Sequence, residues 1–233
     1  MLHNCNDLEN CILQKGFLPF FCNDIDGFSI EEMTPGHLWF SAVDDGPWEW
    51  KGPVLRNRQV AYGKFYHGKA MFVSLQWLPD FINYRRSLPR HVSDDKAMLD
   101  DIVLQTIESQ GTATIKELRR LLTFARGRRK RQPDDLPDGM TLSESQKISL
   151  DPILTRLQRQ GHLVISDFEY NIDRHGNRYG WGVARYASPE TLYGRDIAHA
   201  DGRTPEESHA RLTSHLNNIL PSATTAQIAE VLG

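Results

Sequence analysis

The chain has 233 residues, of which 39% are hydrophobic and 24% charged, and its formal net charge is -3. This composition is typical of a globular protein and excludes a disordered chain, a coiled coil and a uniformly basic nucleic-acid coat. No apolar run approaches the roughly 20 residues of a membrane span, and the N-terminal segment lacks the basic and apolar regions of a secretory signal. The three cysteines, Cys5, Cys11 and Cys22, match no zinc pattern. We therefore expect a cytoplasmic protein without metal or other cofactor.

Residues 1–92 predict an aromatic-rich α+β domain. The segment SIEEMTPGHLWF begins as a short capped helix and breaks at Pro35-Gly36. The segment QVAYGKFYHGKAMFVS alternates around a turn at His67-Gly68, which is the pattern of a β-hairpin. The segment LQWLPDFINYRR then predicts a short helix or loop whose aromatic side chains pack inward.

Residues 93–195 predict a winged helix-turn-helix, in which three helices are followed by a hairpin. Thr114 and Glu117 form a capping box at the start of the second helix. Pro152 lies in the first turn of the third helix, where its missing N–H costs nothing. After that helix the apolar period becomes alternating, and Gly176 supplies the turn between two strands.

Residues 196–233 predict a helical tail. Thr204 caps its first helix, Pro205 occupies the first helical position, and a stripe of apolar residues follows. The segment SATTAQIAEVLG predicts a second short helix. The predicted fold class is therefore α+β, with an aromatic-rich N-terminal α/β-hairpin domain, a winged helix and a helical tail.

A basic cluster separates the second and third helices of the predicted winged helix. Phosphate binding needs such a concentration of cations because each neutralised phosphate releases counterions. The alternative is a solvated loop, and a helix face or a hairpin tip is polar in any case. The position beside a helix-turn-helix favours DNA. The predicted DNA-binding residues are Lys116, Arg119, Arg120, Arg126, Arg128, Arg129, Lys130, Arg131, Arg156, Arg159, Gln160, Arg174, His175, Asn177 and Arg178.

The segment DDGPWEWKGP, residues 44–53, places Trp48 and Trp50 around Glu49. On an extended segment the two indoles would point in one direction, as a platform on which bases stack, and Glu49 in the other. The alternative is that both rings belong to the core, since each buries on the order of 200 Å². Gly-Pro pairs turn the chain at both ends of the segment, and they favour this second interpretation.

Three carboxylates of this segment are candidate catalytic residues. A glutamate beside stacked bases could activate water for glycosidic cleavage, given a suitable pKa and geometry. Glu49 takes this role in the hypothesis, and Asp44 and Asp45 complete the acidic cluster. Lys51, Arg56 and Arg58 are cationic neighbours of the cluster.

Four segments of the chain resemble one family: GFLPFFCNDIDGFSIEEMTPGHLWFS, DDGPWEWKGPV, AYGKFYHGKAMFVS and LPDFINYRR. They are similar to small bacterial AlkZ-related proteins, which are grouped with the AlkZ/YcaQ-like winged-helix DNA glycosylases. The resemblance extends through ARYASPETLYG and covers about Gly16 to Gly194. It implies a winged-helix fold and DNA as the binding partner.

Glycosylases of that group hydrolyse the N-glycosidic bond of alkylated or crosslinked bases. The resemblance implies a catalytic pair, glutamine-apolar-glutamine or glutamine-apolar-aspartate, early in the chain. The Gln-x-Gln of this sequence is Gln158-Arg159-Gln160, whose middle residue is charged and which lies on the third predicted helix. The catalytic role is therefore not carried over to this pair.

Three hypotheses for function follow from these patterns. The first is a winged-helix protein that binds duplex DNA and recognises damaged bases, located at the nucleoid. The second is an active N-glycosylase that uses Glu49 or a neighbouring carboxylate. The third is a transcriptional regulator or a protein-interaction module, because winged helices serve these purposes as well. The sequence leaves open the enzyme assignment and the oligomeric state.

Overall fold

The computed structural model describes residues 1–41, 43–122, 149–176 and 178–233. It confirms the α+β fold class. Within these ranges ten α-helices accompany six strands, which form two three-stranded antiparallel sheets. No helix in the described ranges is long and apolar enough to cross a membrane.

The N-terminal part begins with a helix that the sequence does not predict. That helix begins after Asn4, whose side chain accepts a hydrogen bond from the Asp7 N–H at 2.9 Å. It ends at Gly16, whose φ of 80° is favourable only for glycine. The short helix predicted before Pro35 is confirmed, with Ser29 as its cap. The bounds are α1 Cys5–Lys15, α2 Ile30–Met33 and α3 Pro47–Arg56.

Helix α3 corrects the expectation that DDGPWEWKGP is extended. Pro47 occupies the first position of the helix, where its missing N–H has no partner to lose. The Gly46 N–H donates to the Glu49 carboxylate at 3.0 Å. A Cβ at Gly46 would overlap the Leu38 carbonyl oxygen, so this cap requires glycine. The Gly-Pro pair that favours a turn therefore starts a helix instead.

The predicted hairpin is confirmed and forms the first sheet. His67 and Gly68 both have positive φ, 50° and 71°, as a tight hairpin turn requires. The strand order is β1-β3-β2, and the predicted helix over LPDFINYRR follows the sheet. The bounds are β1 Phe17–Pro19, β2 Val60–Tyr66, β3 Lys69–Ser74 and α4 Leu78–Ser87.

Among the described residues of the middle part, three helices and a hairpin follow one another in the predicted order. The Thr114–Glu117 capping box is present in both directions. Gly176 lies in the turn between the last two strands with a φ of 86°. The second sheet has the order β4-β6-β5. The bounds are α5 Asp94–Gln110, β4 Ala113–Thr114, α6 Ile115–Leu121, α7 Leu150–Arg159, β5 Val164–Ile172 and β6 Arg178–Ala187.

The helical tail is confirmed and packs against the N-terminal part. The Thr204 hydroxyl accepts from the Glu207 N–H, which closes the predicted cap. The fully buried Asp80 of α4 accepts hydrogen bonds from Arg203 at 2.7 Å and from Ser208 at 2.9 Å. Arg211 also lies 3.2 Å from this carboxylate. The remaining helices are α8 Pro189–Tyr193, α9 Pro205–Ile219 and α10 Thr225–Leu232.

The third helix, α7, is attached to the N-terminal sheet. The Gln158 side chain accepts from the Lys64 N–H at 3.1 Å, and the Lys64 ammonium donates to Thr155 at 3.2 Å. Arg85 of α4, which is 4% exposed, donates to the Arg159 carbonyl at 2.8 Å. Helix α7 therefore buries its apolar stripe on one side and packs against β2 on another.

Candidate functional site

Helix α6 presents exposed cations on successive turns. Lys116 and Arg119 are three residues apart, so they lie on neighbouring positions of one helix face. Within the described part of the chain, neither side chain forms a hydrogen bond or an ion pair. Arg120 is exposed on the same helix. By contrast Glu117 points to the sheet, where it pairs with Arg185 at 3.2 Å.

Helix α7 holds its three predicted DNA-binding residues in different environments. Arg156 donates from Nε at 3.0 Å and from Nη2 at 2.5 Å to Asp100, which is fully buried. The buried Oε1 of the half-buried Gln160 has no hydrogen-bond partner among the described residues. Arg159 is exposed. Of these three side chains, Arg159 is therefore the one most open to a phosphate.

The hairpin between β5 and β6 carries the predicted wing residues. Arg174 and His175 are both exposed, and the Arg174 Nε donates to the His175 ring at 3.0 Å. Arg178 begins strand β6. The residues that lie outside the described ranges are Asn177, Arg126, Arg128, Arg129, Lys130 and Arg131.

Many other arginines are held by carboxylates. Arg86 pairs with Glu190, and Arg90 lies 2.7 Å from Asp101. Arg185 pairs with Glu117 and Glu169, and its guanidinium fixes α6 to the second sheet. Lys116 and Arg119 of α6 contrast with these arginines, since both side chains are exposed.

The structure divides the predicted acidic cluster between two cavities. Asp44 and Asp45 are exposed and line a cavity of ≈ 450 Å³ with His3 and His37. Glu49 lines a different cavity. Within the described ranges no three histidine, cysteine or acidic side chains converge as they would around a metal ion.

The two tryptophans also have different environments. Trp50 is 3% exposed and belongs to the core. Trp48 is half-buried and packs edge-to-face against Trp39, with ring centroids 5.8 Å apart. Its centroid also lies 5.1 Å from that of Phe20. Because α3 is helical, the two indoles point in different directions and do not form a common platform.

A cavity of ≈ 210 Å³ lies between α3 and the β5–β6 hairpin. Its lining residue Lys51 is 7% exposed, and the ammonium lies 4.2 Å from the Phe168 ring centroid and 4.9 Å from that of Trp48. Burial lowers the pKa of Lys51 to about 8, although Glu49 raises it. The cavity is lined by Trp48, Glu49, Lys51, Tyr170, Gly180 and Gly182.

Sequence reasoning identified Lys51 only as a cationic neighbour of the carboxylates. The spacing of Trp48 and Lys51, three residues apart, places both on one face of a helix. That relation is visible in the sequence once the segment is known to be helical. An extended segment would have placed Lys51 on the face opposite the indoles.

Comparison with known families now adds to this geometry. The model of the family described as AlkZ related matches residues 2–233. The chain belongs to the AlkZ-related family. No curated protein and no solved structure matches the chain.

In this AlkZ-related protein the first glutamine of the Gln-x-Gln has a structural role. Gln158 is fully buried, and its amide donates to the Leu154 carbonyl at 2.8 Å while its oxygen accepts from the Lys64 N–H. Gln160 follows the last turn of the same helix. Both polar atoms of Gln158 are therefore used within the fold of the AlkZ-related protein.

Proposed function

We propose that this AlkZ-related protein binds duplex DNA and recognises damaged bases in it, with residues 93–195 acting as a winged helix. The winged helix is supported by the order of the three helices and the hairpin that the structure describes in this range, and by the sheet order β4-β6-β5. Family membership supports a role in DNA repair. Residues 1–92 would form the part that reads the damaged base.

The observation that carries the proposal is the exposure of two cations on α6. Lys116 and Arg119 are exposed, one turn apart, and within the described residues neither pairs with a carboxylate. An exposed cation without a protein partner is available to a phosphate, whose neutralisation releases counterions. Arg159 and Arg174 are further exposed cations of the same predicted winged helix.

The packing of α7 favours contacts to the DNA backbone over contacts to the bases. Thr155 and Gln158 contact the N-terminal hairpin, and Arg156 is bonded to Asp100. These side chains are engaged within the protein, so they are poorly placed to read base edges. The proposed contacts are therefore to phosphates, and recognition of the lesion would come from the N-terminal part.

The test is a fluorescence-anisotropy titration of a labelled duplex at several salt concentrations. The variant combines Lys116→Ser with Arg119→Ser, and the control of equal charge combines Lys69→Ser with Arg195→Ser, both of which are exposed on other elements. Each lost phosphate contact lowers the slope of log K against log salt by roughly 0.9. We expect the α6 variant to lose about two contacts and the control none. Equal slopes for all three proteins would contradict the proposed surface.

Hydrolysis of the N-glycosidic bond is a second candidate function. It is favoured by the position of Glu49, whose exposed carboxylate lines the same cavity as Trp48. A carboxylate beside an aromatic ring suits activation of water near a stacked base. Glu49→Gln should then abolish base release from an alkylated duplex and leave duplex binding unchanged. Undiminished base release in this variant would rule out Glu49.

A further inference from the structure

The cavity between α3 and the β5–β6 hairpin contains an amine in an environment that is unusual for lysine. Lys51 is buried, and in the described part of the chain its ammonium has no hydrogen bond and no carboxylate within ion-pair distance. Its neighbours are the faces of Trp48 and Phe168. A buried ammonium is normally paired, because removal from water disfavours the charge.

The aromatic rings replace only part of the lost hydration. A cation over a ring gains roughly 0.5–2 kcal/mol, depending on how far it is desolvated. Burial lowers the pKa of the Lys51 ammonium from 10.5 to about 8, so a useful fraction is neutral near physiological pH. A neutral lysine amine is a nucleophile toward carbonyl carbons.

The cavity has room for a small ligand. Its volume of ≈ 210 Å³ far exceeds the roughly 10–15 Å³ that one water needs, and it is below the roughly 300 Å³ at which drug-sized pockets begin. Gly180 leaves open space where a Cβ would be, and a Cβ at Gly182 would lie 2.9 Å from Tyr170 Cζ. The two glycines therefore keep room at the wall opposite Lys51.

We propose that Lys51 is an amine nucleophile that forms an imine with the open-chain aldehyde of an abasic deoxyribose in duplex DNA. The size of the cavity matches a sugar rather than a larger ligand. An abasic sugar in duplex DNA presents both an aldehyde and flanking phosphates. The inference rests on the proposed binding of duplex DNA, which brings the sugar to the cavity.

The step is balanced without a further reagent. The Nζ lone pair adds to the C1′ carbonyl carbon, and the carbonyl oxygen takes up a proton. The resulting carbinolamine loses that oxygen as water, whose two hydrogens balance the two that the neutral amine gives up, and a C=N bond replaces the C=O bond. The carbonyl carbon and the imine carbon have the same oxidation level, so no oxidant or reductant is consumed. Water reverses the reaction.

Reductive trapping tests the proposal. Full-length protein is incubated with sodium cyanoborohydride and a labelled duplex that contains one abasic site, and the adduct is resolved on a denaturing gel. Hydride from the reagent converts the imine into a stable secondary amine. Lys51→Arg and Lys51→Met should each lower the adduct yield by at least about tenfold, because neither side chain forms an imine. Peptide mapping should place the modification of the wild-type protein on Lys51.

The controls separate this inference from DNA binding. Lys69→Arg replaces an exposed lysine and should give the wild-type adduct yield. Anisotropy titrations should show that both Lys51 variants bind an intact duplex, which offers no aldehyde, as the wild type does. Formaldehyde with cyanoborohydride should methylate Lys51 before Lys69 at pH 8 in the absence of DNA.

Three results would overturn the proposal. A wild-type protein that binds the abasic duplex without forming an adduct removes the role of Lys51 and leaves the proposed function intact. An adduct that persists in both Lys51 variants assigns the chemistry to another amine. No binding of any duplex contradicts the proposed function, and the abasic substrate with it.

Discussion

The Gln158 side chain accepts a hydrogen bond from the backbone N–H of Lys64 at 3.1 Å, across 94 residues of sequence. Its amide donates in turn to the Leu154 carbonyl. This one buried side chain joins the third helix of the predicted winged helix to the N-terminal hairpin. The two parts are therefore connected by specific polar bonds as well as by apolar packing.

Gln158→Ala should destabilise the protein. The substitution leaves the Lys64 N–H without its acceptor in a partly buried position, and an unsatisfied buried donor costs about 1–3 kcal/mol. Urea denaturation followed by tryptophan fluorescence measures the change. The exposed Gln76→Ala is the matched control and should stay within about 0.5 kcal/mol of the wild type. Equal losses of unfolding free energy in both variants would show that the Gln158–Lys64 hydrogen bond does not stabilise the protein.

Asp80→Ala should release the helical tail. The buried carboxylate accepts from Arg203 and Ser208 and pairs with Arg211, and breaking a buried ion pair from one side costs about 3–5 kcal/mol. We expect about 3 kcal/mol, since both arginines keep some contact with water. Limited trypsin digestion should cleave near Arg203 sooner than in the wild type. The exposed Asp196→Ala should digest at the wild-type rate.

His162 should make the protein less stable in mild acid. Burial, with Arg86 and Arg90 nearby, lowers the pKa of His162 from 6.5 to about 4, while Glu190 and Asp101 oppose the shift. The unfolded chain therefore takes up a proton at this residue below about pH 6.5, and the folded chain does so only near pH 4. The resulting contribution to stability is complete above pH 6.5 and is lost as the pH falls toward 4. In urea titrations at several pH values, His162→Gln should show a smaller loss of unfolding free energy between pH 6.5 and 4. Parallel pH profiles of the variant and the wild type would contradict this role of His162.

Gly182→Ala should fill part of the cavity between α3 and the β5–β6 hairpin. A Cβ at this position would lie 2.9 Å from Tyr170 Cζ and 3.0 Å from Phe168 Cβ, so the tyrosine ring must move. Overpacking of this kind costs about 1–3 kcal/mol. The yield of the reductive adduct should fall while Lys51 itself is unchanged. Gly36→Ala adds the same methyl group where no atom lies within 4 Å, and it should leave the yield unchanged.

Local patterns in the sequence determined most of the secondary structure. The Thr114–Glu117 box and the Thr204-Pro205 start are interactions within one turn, and both are present. The hairpin at His67-Gly68 depends on residues that tolerate positive φ, and this is again a local property. Such elements are predictable because the energies that fix them come from neighbours in sequence.

Helix α3 was decided by tertiary packing. Its two Gly-Pro pairs favour turns, and Pro53 inside a helix costs about 3 kcal/mol. Trp50, Val54 and Leu55 are each at most 3% exposed, and burying one such side chain contributes about 1.5–3 kcal/mol. The summed burial exceeds the cost of the proline, so the segment is helical where local preferences favour a turn.

The two candidate sites differ in how far the sequence predicts them. The exposed cations of α6 follow from the sequence alone, because a short amphipathic helix with a known buried face fixes which residues meet water. The cavity around Lys51 does not follow from it, because its opposite wall comes from residues more than a hundred positions away. Sequence specified the charges and the helix caps through short-range bonds. Only the tertiary structure determined that Lys51 is removed from water, since desolvation of a side chain depends on the residues that pack against it.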